Sequence, residues 1–403
     1  MAEHPLPSAT GPLRGIRIVE FAGIGPGPYA AMLLSDLGAE IVRIEKPAAA
    51  SAKVAAHPHP VLRGRQSICL DLSKTDGTRL ALDIVASADA LIEGYRPGKM
   101  EKLGLGPEPC LERNPRLVYG RMTGWGQTGP DAQRAGHDIN YIALAGVLNL
   151  IGRKGAPPTV PLNLVGDYGG GGAFLALGIV SALLEAKISG LGQVVDAAMV
   201  DGAASLLTSF HYMRAIGRWN ADRGTNHLDS GAPYYDVYET ADGKWVSIGS
   251  IEPAFFAELR SLLGLDQSLW DEQNNRALWP EQRRQLAQIF LTRTRQQWCD
   301  LLDGSDTCFA PVLELDELSD HPHHRARKSF VLRDGVVHPA PAPRFSRTPS
   351  QMGEPASAPG SQTRSFLKSL GLGDARIGEL LNSGVAHEFA QLHKPDEAGR
   401  GDE

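Results

Sequence analysis

The sequence predicts an α/β protein in two parts, a larger layer of parallel strands and helices and a smaller α+β domain. Three observations carry this prediction. Residues 17–45 give a strand, a helix and a second strand, the order of a right-handed βαβ unit. The alternation continues to about residue 200, which is the pattern of an α/β layer architecture. Near residue 218 the texture changes to a hairpin followed by helices, and a chain of 403 residues is long enough for two domains.

Each element has its own signal. Arg17–Phe21 reads as a buried strand, Pro28–Leu37 as a helix and Glu40–Glu45 as the second strand. Ser67–Asp71, Ala90–Glu93 and Leu117–Met122 read as further strands, with a helix from about Lys74 to Ala86. Apolar helices follow at Asp138–Leu150 and Tyr168–Ala186, then a strand near Val194–Ala197 and a helix through Met199–Ala215. Pro233–Thr240 and Lys244–Ser250 flank Ala-Asp-Gly and form a predicted β-hairpin. Helices are predicted at Pro253–Leu263, Pro280–Leu291 and Arg295–Leu302. Residues 338–360 are crowded with proline and serine, an extended linker, and an amphipathic helix follows at Asp374–Leu381. The division is therefore 1–217, 218–335 with the hairpin, and 336–403 with the linker and last helix.

Composition narrows the function. A 42% hydrophobic and 21% charged chain is ordinary for a globular protein, neither disordered nor fibrous. A net charge of −6 gives no reason to expect nucleic acid or an anionic membrane as partner. The expectation is that no apolar run reaches membrane-spanning length, and MAEHPLPSATGPLRG lacks the basic-then-apolar order of a secretory leader. Cys69, Cys110, Cys299 and Cys308 are scattered, which fits a reduced, cytoplasmic chain without a cysteine zinc site. His321-Pro-His323-His324 lacks a helical i, i+4 pair and reads as a solvated loop, so no metal is expected.

The turn Gly23-Ile-Gly-Pro-Gly-Pro28 sits where a dinucleotide-binding protein keeps its phosphate loop. Its spacing is G-x-G-x-G, not G-x-G-x-x-G, and Pro26 and Pro28 remove amide donors. It reads instead as a tight strand-to-helix turn with Pro28 opening the helix.

Three segments place a titratable residue at the start of an apolar helix: His137 in AGHDINY, Asp167 in NLVGDYGGGG and Glu252 in IGSIEP. Taken singly, each has an ordinary structural role, as a buried histidine, an N-cap and a first-turn carboxylate. Taken with their surroundings they carry more. The segments GIRIVEFAGIGPGPYAAMLLSDLGAEIVRIEKP, AGHDINYIALAGVL, PLNLVGDYGGGGAFLALGI, GQVVDAAMVDGAA and APYYDVYETADGKWVSIGSIEPAFFAEL run in order. Across residues 15–335 the chain resembles the family III CoA-transferase superfamily, and within it the branch that racemises 2-methylacyl-CoA thioesters.

The resemblance implies a Rossmann-like large domain, completed by the C-terminal segment, with a smaller α+β domain and an interlocked homodimer. It implies a 2-methyl-branched acyl-CoA substrate whose CoA is the thioester moiety, with no prosthetic group. His137 and Asp167 would flank carbon 2 as the acid/base pair, with Glu252 of the partner chain hydrogen-bonded to His137. An imidazole near neutrality can act in either protonation state. Asp167 at a helix start needs burial to become a useful acid. Backbone amides of residues 167–170 are expected to face the enolate oxygen.

CoA contacts are implied at Lys46, at Leu70, Asp71, Leu72 and Ser73, and at Gly136, Asp138, Ile139, Asn140 and Tyr141. Arg43, Arg65 and Arg96 are the nearby cations expected on phosphates. The chain departs from the family at residues 48–62, AAASAKVAAHPHPVL, and Gln66 stands at a usually basic position. That leaves open which cation holds the 3′-phosphate. A CoA-transferase of the same superfamily would instead use the aspartate matching Asp167 as a nucleophile. Such enzymes carry a glycine-rich loop near the hairpin, where this chain reads GSIEPAFF, and do not need His137.

Overall fold

A computed structural model describes residues 10–50, 59–265 and 268–389. The departure at 48–62 therefore lies partly outside the described residues. The chain divides into two compact units. One gathers the described residues up to Ile142, then Asn163–Ser205 and those from Val331 on; the other holds Ala143–Leu162 and Leu206–Phe330.

The first unit is built on β1 (Arg17–Phe21), β2 (Glu40–Glu45), β3 (Arg65–Leu70), β4 (Ala90–Glu93), β5 (Val118–Thr123) and β6 (Gln193–Ala198). They form one sheet in the order β3-β2-β1-β4-β5-β6, all paired in parallel. Side chains alternate across it. Ile18, Ile41 and Ile92 join the helices Pro26–Asp36 and Phe174–Ser189 on one face. Val19, Val42 and Leu91 join the helix Thr75–Ala86 and Phe366, Leu367 and Leu380 on the other. Over β1–β5 both faces are buried, so these strands read as continuous apolar runs. The strand order turns back between β1 and β4. In open parallel sheets such a switch opens a crevice beyond the carboxyl ends of the strands.

The second unit packs an antiparallel sheet of β7 (Tyr235–Glu239), β8 (Trp245–Gly249) and β9 (Phe309–Val312) against helices. Its core is aromatic: Tyr234, Tyr238, Trp270, Trp279, Phe290 and Trp298. Strands β10 (Phe330–Arg333) and β11 (Val336–Pro339) pair with each other, and β12 (Ala386–His387) adds antiparallel to β3.

The structure differs from the sequence expectation in several places. The predicted helix Asp138–Leu150 is two pieces, Asp138–Leu144 and Val147–Leu150, broken at Ala145-Gly146. The predicted helix Met199–Ala215 is likewise Met199–Ser205 and Thr208–Ala215. Both breaks fall within a few residues of the division between units. The histidine cluster is the short helix Pro322–Arg327 with His321 as its N-cap, not a loop. Among the described residues no group of side chains is arranged to hold a metal ion.

One helical run, Leu164–Ser189, is 26 residues long and apolar enough by length and composition to cross a membrane, contrary to expectation. Gly170, Leu175, Ile179 and Leu183 are buried on it, as in a core helix, while Leu177, Leu184 and Ile188 are exposed.

Candidate active site

A cleft of about 530 Å³ opens beyond the carboxyl ends of β1, β4 and β5. Gly25 and Pro26 line it after β1, Gly94–Pro97 after β4 and Thr123–Trp125 after β5. His137, Asn140, Tyr141 and Asp167 complete it.

His137 immediately precedes the helix Asp138–Leu144. Its N–H donates to Asn140 Oδ1 at 3.1 Å, and its carbonyl accepts from the Asn140 and Tyr141 amides. The Tyr141 hydroxyl reaches back to the Gly136 carbonyl, while its ring meets Trp125 edge-on at 4.7 Å. These contacts fix the backbone on both sides of His137 and leave its side chain exposed to the cleft.

Asp167 lies on a π-helix, Leu164–Ala173, that runs directly into the helix Phe174–Ser189. Such wide turns recur at functional sites. Its carboxylate accepts from Asn163 Nδ2 at 3.1 Å. Burial pushes its pKa up, and the neighbouring Asp138 charge adds to this, while Asn163 and His137 oppose it.

The glycine-rich segments have packing roles here. Gly25 takes φ 68°, a left-handed conformation that glycine adopts without strain. A Cβ there would stand 3.3 Å from Asp167 Oδ2, so the turn after β1 borders the carboxylate. Gly170 and Gly202 meet backbone to backbone. A Cβ on Gly202 would lie 1.8 Å from the Gly170 carbonyl oxygen.

The amide expectation needs correction. The Asp167 N–H, like that of Gly166, donates to Asp138 Oδ2. The amides that follow lie within the i→i+5 ladder of the π-helix. The first-turn amides of Asp138 and Ile139, next to His137, have no preceding helical carbonyl to meet.

The residues implied for CoA fall into two groups. Arg96, Gly136, Asn140 and Tyr141 line the cleft. Lys46 and Ser73 are exposed at the carboxyl ends of β2 and β3, with Leu70 buried and Asp71 accepting from the Ser73 amide and hydroxyl. Ile139 is exposed and Asp138 is buried.

Arg43 and Arg65, expected on phosphates, are a different case. Both are buried and pair with Glu20, at 2.5 and 3.0 Å. Arg43 also binds Glu45, and Arg65 donates to the carbonyls of Pro28, Val61 and Arg63. Their guanidinium groups are engaged inside the fold. Glu252 stands at the N-cap position of the helix Pro253–Leu263 in the second unit, without a side-chain capping bond, and is exposed.

A second buried pair was not anticipated. Glu93, at the end of β4, accepts from Arg121 Nε at 3.0 Å and from the Tyr95 amide at 2.8 Å. The Tyr95 hydroxyl donates to the Ala22 carbonyl at 3.1 Å. Burial pushes the Glu93 carboxyl up despite Arg121. The pair anchors the 94–97 segment that forms one wall of the cleft.

The fold and the cleft define an α/β protein with an open cleft at the carboxyl ends of its parallel strands. A profile of CoA-transferase family III matches residues 13–363, and the chain belongs to that family. That family implies CoA-thioester substrates. It is 46% identical over 340 residues to the α-methylacyl-CoA racemase of Mus musculus, covering 84% of this chain and 87% of the relative. The α-methylacyl-CoA racemase of Homo sapiens is 42% identical over 339 residues, with the same coverage. The crystal structure of a CaiB/BaiF family protein from Brucella suis matches with a TM-score of 0.76 at 25% identity, over 90% of this chain and 100% of that one.

Proposed function

We propose that this enzyme racemises 2-methylacyl-CoA thioesters by proton transfer at carbon 2. The observation that carries the reading is that His137 and Asp167, from two different helical elements, line one cleft. One group removes the α-proton to leave an enolate, and the other returns a proton to the opposite face. The raised pKa of Asp167 suits it to hold a proton for return. Acid/base help of this kind contributes about 10²–10⁴-fold, so the enolate oxygen needs hydrogen-bond donors as well. The first-turn amides beside His137 are proposed for that task. Arg96 is proposed as a phosphate contact from the cleft wall.

We further propose a homodimer in which Glu252 of the second chain meets His137. The exposed apolar side chains Leu177, Leu184, Ile188 and Leu191 support a covering partner. The four cysteines, scattered along the chain with no CxxC pair, support a cytoplasmic location.

The test is incubation of 2-methylacyl-CoA in deuterium oxide with the enzyme and its His137→Ala and Asp167→Asn variants. Deuterium enters carbon 2 with the wild type and is lost by about 10²-fold or more in each variant. Transfer of CoA to a free acid without α-proton exchange would overturn the reading and establish Asp167 as a nucleophile.

A further inference from the structure

We infer that Asp138 is a positioning residue, whose carboxylate fixes the Asp167 segment against the helix that His137 opens and is itself no contact for CoA. The catalytic consequence rests on the racemase reading; the clamp itself does not.

Asp138 Oδ2 accepts two backbone amides from a segment 28 and 29 residues away, Gly166 at 2.6 Å and Asp167 at 2.9 Å. The first is short and the second of ordinary length for an N–H···O bond. The side chain is 5% exposed and does not line the cleft. Its second oxygen is buried as well, without a protein partner. A group so enclosed has no face to offer a coenzyme. At Gly166 a Cβ would come within 2.4 Å of the same Oδ2, so the approach depends on a residue without a side chain there.

The consequence is geometric. Asp138 is adjacent to His137 in sequence and bonded to the amide of Asp167 itself, so the two groups share one anchor. A displacement of about 1 Å at a reacting group is enough to cost about 10²-fold in rate. Two buried amides also lose their acceptor if the carboxylate is removed.

Two measurements on the whole enzyme test this: hydrogen exchange of the Gly166 and Asp167 amides, and kcat and KM for deuterium entry into 2-methylacyl-CoA. In Asp138→Ala the two amides exchange at least about tenfold faster, and kcat falls by about 10²-fold with KM nearly unchanged. Asp138→Asn, whose carbonyl oxygen accepts the same two amides, recovers amide protection and most of kcat. Asp138→Ser, too short to reach, substitutes for the alanine variant if that fails to fold. Unchanged amide protection in the short variants would overturn the inference. So would a rise in KM at constant kcat, or an asparagine variant as impaired as alanine. If the wild type shows no α-proton exchange, the racemase reading falls while amide protection still decides the clamp.

Discussion

Replacing Arg121 by methionine removes one partner of the buried pair beneath the cleft wall. The Arg121 side chain is 7% exposed and that of Glu93 1%, and methionine fills much of the arginine stem's volume. The cost is therefore chiefly that of an unpaired buried carboxylate, about 3–5 kcal/mol. Glu93 can escape that cost by taking a proton. Its pKa is already raised by burial, and losing Arg121 removes an influence that lowers it. A carboxyl with a raised folded pKa stabilises the fold at low pH and loses that contribution as pH rises. Urea unfolding followed by circular dichroism should thus show the full loss at pH 8. The loss should shrink by at least about 1 kcal/mol at pH 5.5. Adding Glu93→Gln should recover most of the stability at pH 8. The reasoning is refuted if Arg121→Met costs the same at both pH values, or if Glu93→Gln makes it worse.

Two further outcomes follow from the site. Gly202→Ala forces a Cβ into the Gly170 carbonyl, a backbone contact with no flexible side chain to yield. It should cost about 1–3 kcal/mol in urea unfolding and slow α-proton exchange as the π-helix moves. Asn163→Ala removes a hydrogen bond that favours ionised Asp167, so the pKa of Asp167 rises further. The acid-side limb of the exchange rate, where Asp167 must be ionised to act as base, should move to higher pH. A limb that stays in place would exclude Asp167 as its origin.

Much of the fold was legible in the sequence because the strands of a doubly covered sheet are short apolar runs bounded by turns. The helix Pro253–Leu263 opens on a proline, and Arg295–Leu302 opens on a Thr294–Gln297 capping box, and both were placed correctly. The break at 145–146 had its signal in Gly146, which takes a left-handed φ of 88°, whereas at 206–207 two leucines continue the apolar pattern and give none. Strand β12, two residues long, offers no periodicity.

The charged strand residues carry the clearest lesson. Arg43 looked like a phosphate cation, yet it stands opposite Glu20 in the β1–β2 register, and Glu93 stands opposite Arg121 in β4–β5. Opposite charges at matching positions of adjacent buried strands announce an ion pair, and that signal was in the sequence once the strands were aligned. The motifs that drew attention to His137 and Asp167 lie apart in the sequence, and both residues line one cleft. The role of Asp138 was hidden because it depends on which way a carboxylate faces.

The most direct test starts from a single C2 epimer of a 2-methylacyl-CoA in deuterium oxide, followed by NMR. The account predicts that the wild-type enzyme carries it to a mixture of both epimers, with one deuterium incorporated at carbon 2. Retention of both configuration and the α-proton, with acyl transfer to an added carboxylic acid, would contradict it.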